Sequence, residues 1–207
     1  MARVKAGAAA NPAPPTVQRV RLRFAKRGRL RFLSHRDVAR SFERAVRRAG
    51  VPVAHSHGFS PHPRLSWVGA APTGAASEAE YVEMGLTREV DPELVRAAMD
   101  QALPDGLDVV AAATAVGPPA LADRIDAARW RLEVRGIAVE EVRAAVEAFT
   151  AQESVVVTRL TPSGRKEIDV RAAVVTLLVE PQVNARRAIV TRPGRRVRRP
   201  RSPTVRY

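Results

Sequence analysis

The four histidines of this 207-residue chain all fall within 28 residues and are the side chains best suited to chemistry. Imidazoles at this density can bind zinc or iron, with Glu80 or Glu83 as an oxygen ligand, or can do acid–base work on a phosphodiester. However, no Asp or Glu lies inside the segment 55–64 to orient a histidine, and no two histidines stand at the helical i, i+4 spacing. We therefore predict neither a catalytic nor a metal site. The weak candidates as metal ligands are His35, His57, His62 and Glu80. The fourth histidine, His55, is not among them.

The segment 55–64, HSHGFSPHPR, is more typical of a rigid recognition loop. Glycine permits an unusual backbone angle, prolines brace the chain, and Arg64 and the histidines supply hydrogen-bond donors. The residues expected to shape this loop are Gly58, Phe59, Pro61, Pro63 and Ser66.

Arginines alternate with apolar residues in two short runs, 19–24 and 29–32, on either side of a Lys-Arg-Gly turn. This period of two predicts a β-hairpin with one apolar face and one arginine face. Because like charges paired across strands repel, the face suggests a bound anion such as phosphate, although long arginine stems can also simply cover an exposed sheet. The expected nucleic-acid-binding residues are Arg19, Arg21, Arg23, Arg29, Arg31, His35, Arg36, His57, His62 and Arg64.

The formal net charge of +14 is concentrated in two places. Twelve Lys and Arg residues lie between Arg19 and Arg48, and residues 181–207 contain nine arginines and no acid. Such a balance suggests a polyanionic partner. The segment 185–207 lacks a hydrophobic period, so it is either a disordered basic arm or the product of an altered reading frame.

The elements expected to position these residues indicate an α+β fold. Residues 1–16 are expected to be a disordered leader, and residues 17–117 to form a ferredoxin-like unit that carries the His/Pro loop. Residues 118–184 are expected to form a second, smaller α+β unit, so that the chain has one or two ferredoxin-like units with helices on one side of antiparallel sheets. Ser34 with Asp37 predicts a helix over about 35–49, and Asp91-Pro92 a helix to about residue 103.

Composition excludes several classes of protein. The chain has no cysteine, which removes disulfides, thiol nucleophiles and cysteine-held iron–sulfur clusters, and we expect no cofactor. No run approaches the about 20 apolar residues that span a bilayer, and the first ten residues do not resemble a signal peptide. We therefore expect a cytoplasmic protein with no membrane partner.

Three ordered motifs give a resemblance to a known family. They are RLRFLS with His-Arg-Asp at 29–37, SHGFSPHPRLS at 56–66, and the acidic stretch 77–81 that follows Pro72–Gly74. Over about 17–180 the chain resembles a bacterial domain-of-unknown-function family whose members are fused to, or encoded beside, cobalamin-binding radical SAM proteins. The resemblance implies such a protein as partner but implies no reaction. A looser likeness, of fold alone, is to CRISPR repeat-processing endoribonucleases.

Three hypotheses on function follow. The first is an accessory module, not an enzyme in itself, that binds tRNA or rRNA for a radical SAM partner. The second is a protein-interaction scaffold for that partner with no RNA contact. The third and weakest is a metal-independent ribonuclease that uses His35 or His62. Steep salt dependence of binding would distinguish the first from the second.

Overall fold

A computed structural model describes residues 14–180 and the backbone of a strand at 187–195. The chain divides into two compact units, Met1–Ala122 and Asp123–Tyr207. The expected N-terminal leader lies outside the described residues apart from 14–16, as do 181–186 and 196–207 of the C-terminal region.

The first unit follows the order β-α-β-β-α-β. Its sheet has the strand order β2-β3-β1-β4, and every pairing is antiparallel. This is the ferredoxin-like arrangement. The elements are β1 (Gln18–Lys26), a 3₁₀ helix (Gly28–Phe32), α1 (His35–Ala49), β2 (Leu65–Val68), β3 (Ser77–Leu86), α2 (Pro92–Ala102) and β4 (Val109–Thr114).

Both helices of this unit pack against one face of the sheet. Alternate residues of β1 and β3 point to that face because side chains alternate across a strand. Their partners are the apolar stripes of α1 and α2, and no described helix of this unit covers the opposite face. The buried side chains include Val20, Leu22, Phe24, Val82, Met84 and Leu86 from the sheet and Val38, Phe42, Val46, Val95 and Met99 from the helices.

The helix predicted over 35–49 is confirmed, with α1 at His35–Ala49. The Ser34 hydroxyl accepts a hydrogen bond from the Asp37 amide at 3.3 Å, and the Asp37 carboxylate accepts one from the Ser34 amide at 3.2 Å. Hydrogen bonds from Ser34 hold the pKa of Asp37 below its usual value. Gly50 ends the helix at φ +64°, a left-handed conformation that glycine adopts without strain.

The predicted N-terminal hairpin is wrong in its second strand. Residues Gly28–Phe32 form a 3₁₀ helix, and Gly28 reverses the chain at φ +53°. The physical reason is that β1 is already paired on both sides, with β3 on one and β4 on the other, so no edge remains for a hairpin partner. Arg29 and Arg31 are therefore not on the sheet.

The second unit contains a three-stranded sheet in the order β5-β9-β8 and a separate β6–β7 hairpin. Residues Arg187–Arg195 of the expected disordered tail form the middle strand of that sheet. The β-branched residues Ile189, Val190 and Thr191 favour a strand there. The sequence analysis overlooked this short run because arginines surround it. The elements are a short α3 (Leu121–Arg124) at the boundary, β5 (Ala127–Arg135), α4 (Val139–Thr150), β6 (Val156–Thr161), β7 (Gly164–Asp169), β8 (Leu178–Glu180) and β9 (Arg187–Arg195).

The predicted α+β class with antiparallel sheets and ferredoxin-like organisation is confirmed. In the described part of the chain, no helix has the length and apolar character that crossing a bilayer requires.

Candidate functional site

The uncovered face of the first unit's sheet carries arginines from two strands. Arg19, Arg21 and Arg23 alternate on β1 with the buried core residues, so they point away from the helices. At the entry to β2, Arg64 joins them: a Cβ placed on Gly85, the cross-strand partner of Arg19, would lie 3.5 Å from the Arg64 Cβ. We call Arg19, Arg23 and Arg64 the arginine triangle.

The central arginine of β1 is already neutralised. Arg21 stands opposite Glu83 of β3, and its Nε and Nη2 donate to the Glu83 Oε1 at 2.9 Å and 2.5 Å. The two side chains are only 17% and 14% exposed. An ion pair screened from water to this degree holds more firmly than a surface pair. The expectation that the whole arginine row needs an external anion therefore does not apply to Arg21.

The members of the arginine triangle, in contrast, are exposed and form no salt bridge with any residue that the structure describes. Arg27, at the end of β1, differs again because it lies between Glu78 and Asp108. Its Nε donates to Glu78 at 2.7 Å and its Nη1 to Asp108 at 2.7 Å, and these bonds raise its pKa. The same pairing with Arg27 lowers the pKa of Glu78.

One aromatic ring shares the uncovered face. Tyr81 of β3 stands opposite Arg23 on one side and Val68 on the other, and its side chain is half-buried. The neighbours of β1 on the β4 side of this face are small, Ala111 and Ala113. A flat ring among arginines and small side chains can stack on a planar ligand. Sequence reasoning missed Tyr81 and considered Glu83 only as an oxygen ligand for a metal, although the place of both on this face follows from the alternation of β3 once its pairing with β1 is known.

The His/Pro loop begins at one end of this face. Its base is tied to the sheet because Ala54 N–H donates to Gly85 O and Arg64 N–H donates to Ala54 O, each at 2.7 Å. Farther out, Ser56 N–H donates to His62 O at 2.8 Å, and His62 N–H donates to the Ser56 hydroxyl at 3.0 Å.

The tip of the loop, residues 57–61, is exposed throughout. Gly58 turns the chain at φ +123°, which only glycine tolerates easily. Phe59, expected to help shape the loop, is 98% exposed and contributes no packing to it. Of the other residues expected to shape the loop, Pro63 pairs with His55 in a β-bridge, Pro61 is exposed, and Ser66 lies on β2 opposite Glu83.

The remaining predicted site residues lie at the other end of the sheet. His35 begins α1, and its ring meets Trp67 edge-on with 5.3 Å between centroids. Arg36 follows it, while Arg29 and Arg31 lie on the 3₁₀ helix. Trp67 lies three residues along the chain from Arg64, about 10 Å on strand geometry, but it pairs with the buried Val82 and so belongs to the helix-covered side of the sheet. The predicted binding residues thus form three groups: those on the uncovered sheet face, those in the loop, and those near His35. Among the described residues, no single site contains both His35 and His62.

Next to His35 is a small, mostly enclosed cavity of about 10 Å³ that sequence reasoning did not predict. Lys26 lines it and is only 3% exposed. Its Nζ donates to the carbonyl oxygens of Ala71 and Pro72 at 3.2 Å and 3.4 Å. Glu80, also on the cavity, accepts the Ala71 N–H at 3.1 Å. These bonds fix the turn that precedes β3.

The weak metal candidates are not brought together. His35 and Glu80 border the same cavity, whereas His57 and His62 belong to the loop at the far end. Within residues 14–180, no three His, Asp or Glu side chains form a group that could hold a metal ion.

Comparison with known proteins adds one match. No curated protein matches the chain. A family model described as "Uncharacterized protein conserved in bacteria (DUF2344)" matches residues 19–200, which confirms the expectation of a bacterial family of unknown function. The match spans both units, the arginine triangle and the loop. The chain therefore belongs to the DUF2344 family of proteins conserved in bacteria.

Proposed function

We propose that this protein binds RNA on the uncovered sheet face of its first unit. The observation that carries the proposal is the arginine triangle: three exposed arginines without a salt bridge among the described residues, around a neutral Arg21–Glu83 pair and the ring of Tyr81. Guanidinium groups bind phosphate oxygens strongly, and an aromatic ring stacks on bases.

The spacing of the triangle suits several phosphates. On ideal strand geometry, the Cα atoms of Arg19 and Arg23 lie about 13 Å apart and those of Arg19 and Arg64 about 10 Å apart. Each arginine can then hold a different phosphate of one strand. Four-stranded sheets with one open face and helices on the other are a common RNA-binding architecture, although this comparison rests on fold alone.

The biological setting that we propose is an accessory role beside a cobalamin-binding radical SAM protein, with tRNA or rRNA as the bound RNA. Its support is the motif resemblance at 29–37, 56–66 and 77–81. The RNA-binding face would hold the substrate while the partner performs the chemistry.

A protein-interaction scaffold is the second candidate, and one observation favours it. The second unit has an apolar cleft of about 460 Å³ between α4 and β5, lined by residues such as Leu132, Val142 and Phe149. Exposed apolar surface of this kind often marks protein contacts. Binding there would depend little on salt, whereas binding to the arginine triangle would depend on it strongly.

The test uses Glu83→Gln, which removes the one carboxylate from the centre of the face and frees Arg21 for a phosphate. We expect binding of a labelled RNA stem-loop to strengthen about fivefold, because one more charged contact contributes about 1 kcal/mol. The log–log dependence on salt should steepen by about 0.7. Fluorescence anisotropy of the full chain at several salt concentrations measures both.

The matched control is Glu153→Gln, an equal change of charge at an exposed position in the second unit. This variant should bind as the wild type does. Equal strengthening in both variants would indicate a response to net charge alone, and unchanged or weaker binding by Glu83→Gln would contradict the proposed face.

A further inference from the structure

Phe59 is the most exposed large apolar side chain in the described part of the chain, at 98%. The next in the first unit is Val116 at 76%, and Phe32 is 57% exposed. Complete exposure of an aromatic ring is unfavourable in water and gives the loop no internal packing. A ring in this position therefore points to a ligand that covers it.

The base of the loop that carries this ring is held in place by hydrogen bonds. Four hydrogen bonds tie residues 54–56 to 62–64 and to Gly85, so the base of the loop is continuous with the sheet. Gly58 at φ +123° precedes Phe59, and Pro61 follows it by two residues. Pro61 restricts the backbone that follows the ring, and Gly58 permits the turn that precedes it.

The charge around the ring identifies the class of ligand. Residues 55–77 contain no Asp or Glu, while His55, His57, His62 and Arg64 are among them. A ligand that is both negatively charged and flat suits such surroundings, and an unpaired nucleotide has phosphate and a base with a π-face. The other class of ligand is a protein partner with an acidic, apolar surface. Measurements of RNA binding distinguish the two classes.

We propose that Phe59 stacks on an unpaired base of the bound RNA, so that this protein selects single-stranded or looped RNA over duplex. The inference rests on the proposed RNA-binding face and adds a second contact to it. Arg64 connects the two, because it ends the loop and belongs to the arginine triangle. A strand bound on the sheet would continue past Arg64 to the tip.

The test measures the affinity of the full chain for labelled oligouridylate, for the same strand in a duplex with oligoadenylate, and for an abasic strand of equal length. Phe59→Ala should weaken binding to the single strand by about 5- to 150-fold, the range for loss of one stacked base. Phe59→Tyr, which keeps a ring, should stay near wild type. Binding of Phe59→Ala to the duplex and to the abasic strand should equal that of the wild type.

Phe32→Ala is the matched control, an exposed phenylalanine at the other end of the sheet, and it should leave single-strand affinity unchanged. If the wild type binds with steep salt dependence and Phe59→Ala binds equally well, the stacking role is overturned and the proposed face stands. Equal losses on all three probes would also overturn it. If the wild type binds none of them, both proposals fail and a protein ligand for the loop is favoured.

Discussion

Changing Arg19, Arg23 and Arg64 together to serine is expected to weaken RNA binding by about 100-fold. Three charge-assisted contacts of about 1 kcal/mol each give this loss. The magnitude of the log–log salt slope should fall by about 2, because about 0.7 is lost with each phosphate contact to a single strand. Anisotropy titrations of the full chain over a range of salt concentrations measure the affinity and the slope together.

The matched control replaces Arg143, Arg159 and Arg165 by serine, three exposed arginines of the second unit. It lowers the net charge by the same amount but leaves the sheet face intact, so its affinity should stay within about threefold of wild type, as expected for screened charges away from the contact. Equal losses in the two variants would show that overall charge, and not the arginine triangle, is responsible.

Phe42→Ala is expected to lower the free energy of unfolding of the first unit by about 3–5 kcal/mol, the usual cost of truncating a buried phenylalanine. Phe42 is completely buried, with its ring centroid 4.7 Å from that of Phe24 and 5.1 Å from that of Trp67. This loss is a large fraction of the stability of an ordinary domain. Urea unfolding followed by Trp67 fluorescence measures it, in a Trp130→Phe background that leaves one tryptophan.

Leu94→Ala on α2 is the control for this measurement. Leu94 is 65% exposed, so its truncation should change stability by no more than about 0.5 kcal/mol. A cost below about 1 kcal/mol for Phe42→Ala would mean that the aromatic cluster on α1 is not packed as described.

Local signals in the sequence were sufficient for α1 and for the start of α2. The Ser34–Asp37 capping box and Gly50 define both ends of α1, and Asp91 with Pro92 defines the start of α2. Each signal involves residues only a few positions apart, so the local sequence is enough to predict where the helix begins or ends. The alternation in β1 likewise identified which of its residues face the core.

Long-range pairing was not predictable in the same way. The arginine run at 29–32 has the period of a strand, yet β1 has no free edge because β3 and β4 occupy both. The Arg21–Glu83 pair joins residues 62 apart, and its existence depends on the register of β1 against β3. A shift of one residue in this register would turn Glu83 to the other face of the sheet. The Arg21–Glu83 ion pair could therefore not be predicted from the sequence without knowing the register.

The exposed Phe59 illustrates the same limit. Its neighbours in sequence indicate a braced loop, but whether a ring packs inside a loop or points to solvent depends on the path of the backbone at Gly58. The sequence analysis therefore assigned Phe59 to the shape of the loop and did not single out Tyr81.

Photo-crosslinking the full chain to RNA that contains 4-thiouridine, followed by mass spectrometry of the linked peptides, locates the RNA-binding surface directly. We expect crosslinks on β3 at Tyr81 and in the loop at Phe59, and their loss when Arg19, Arg23 and Arg64 are changed to serine. Crosslinks confined to residues 123–207 would contradict this expectation and would place RNA binding outside the first unit.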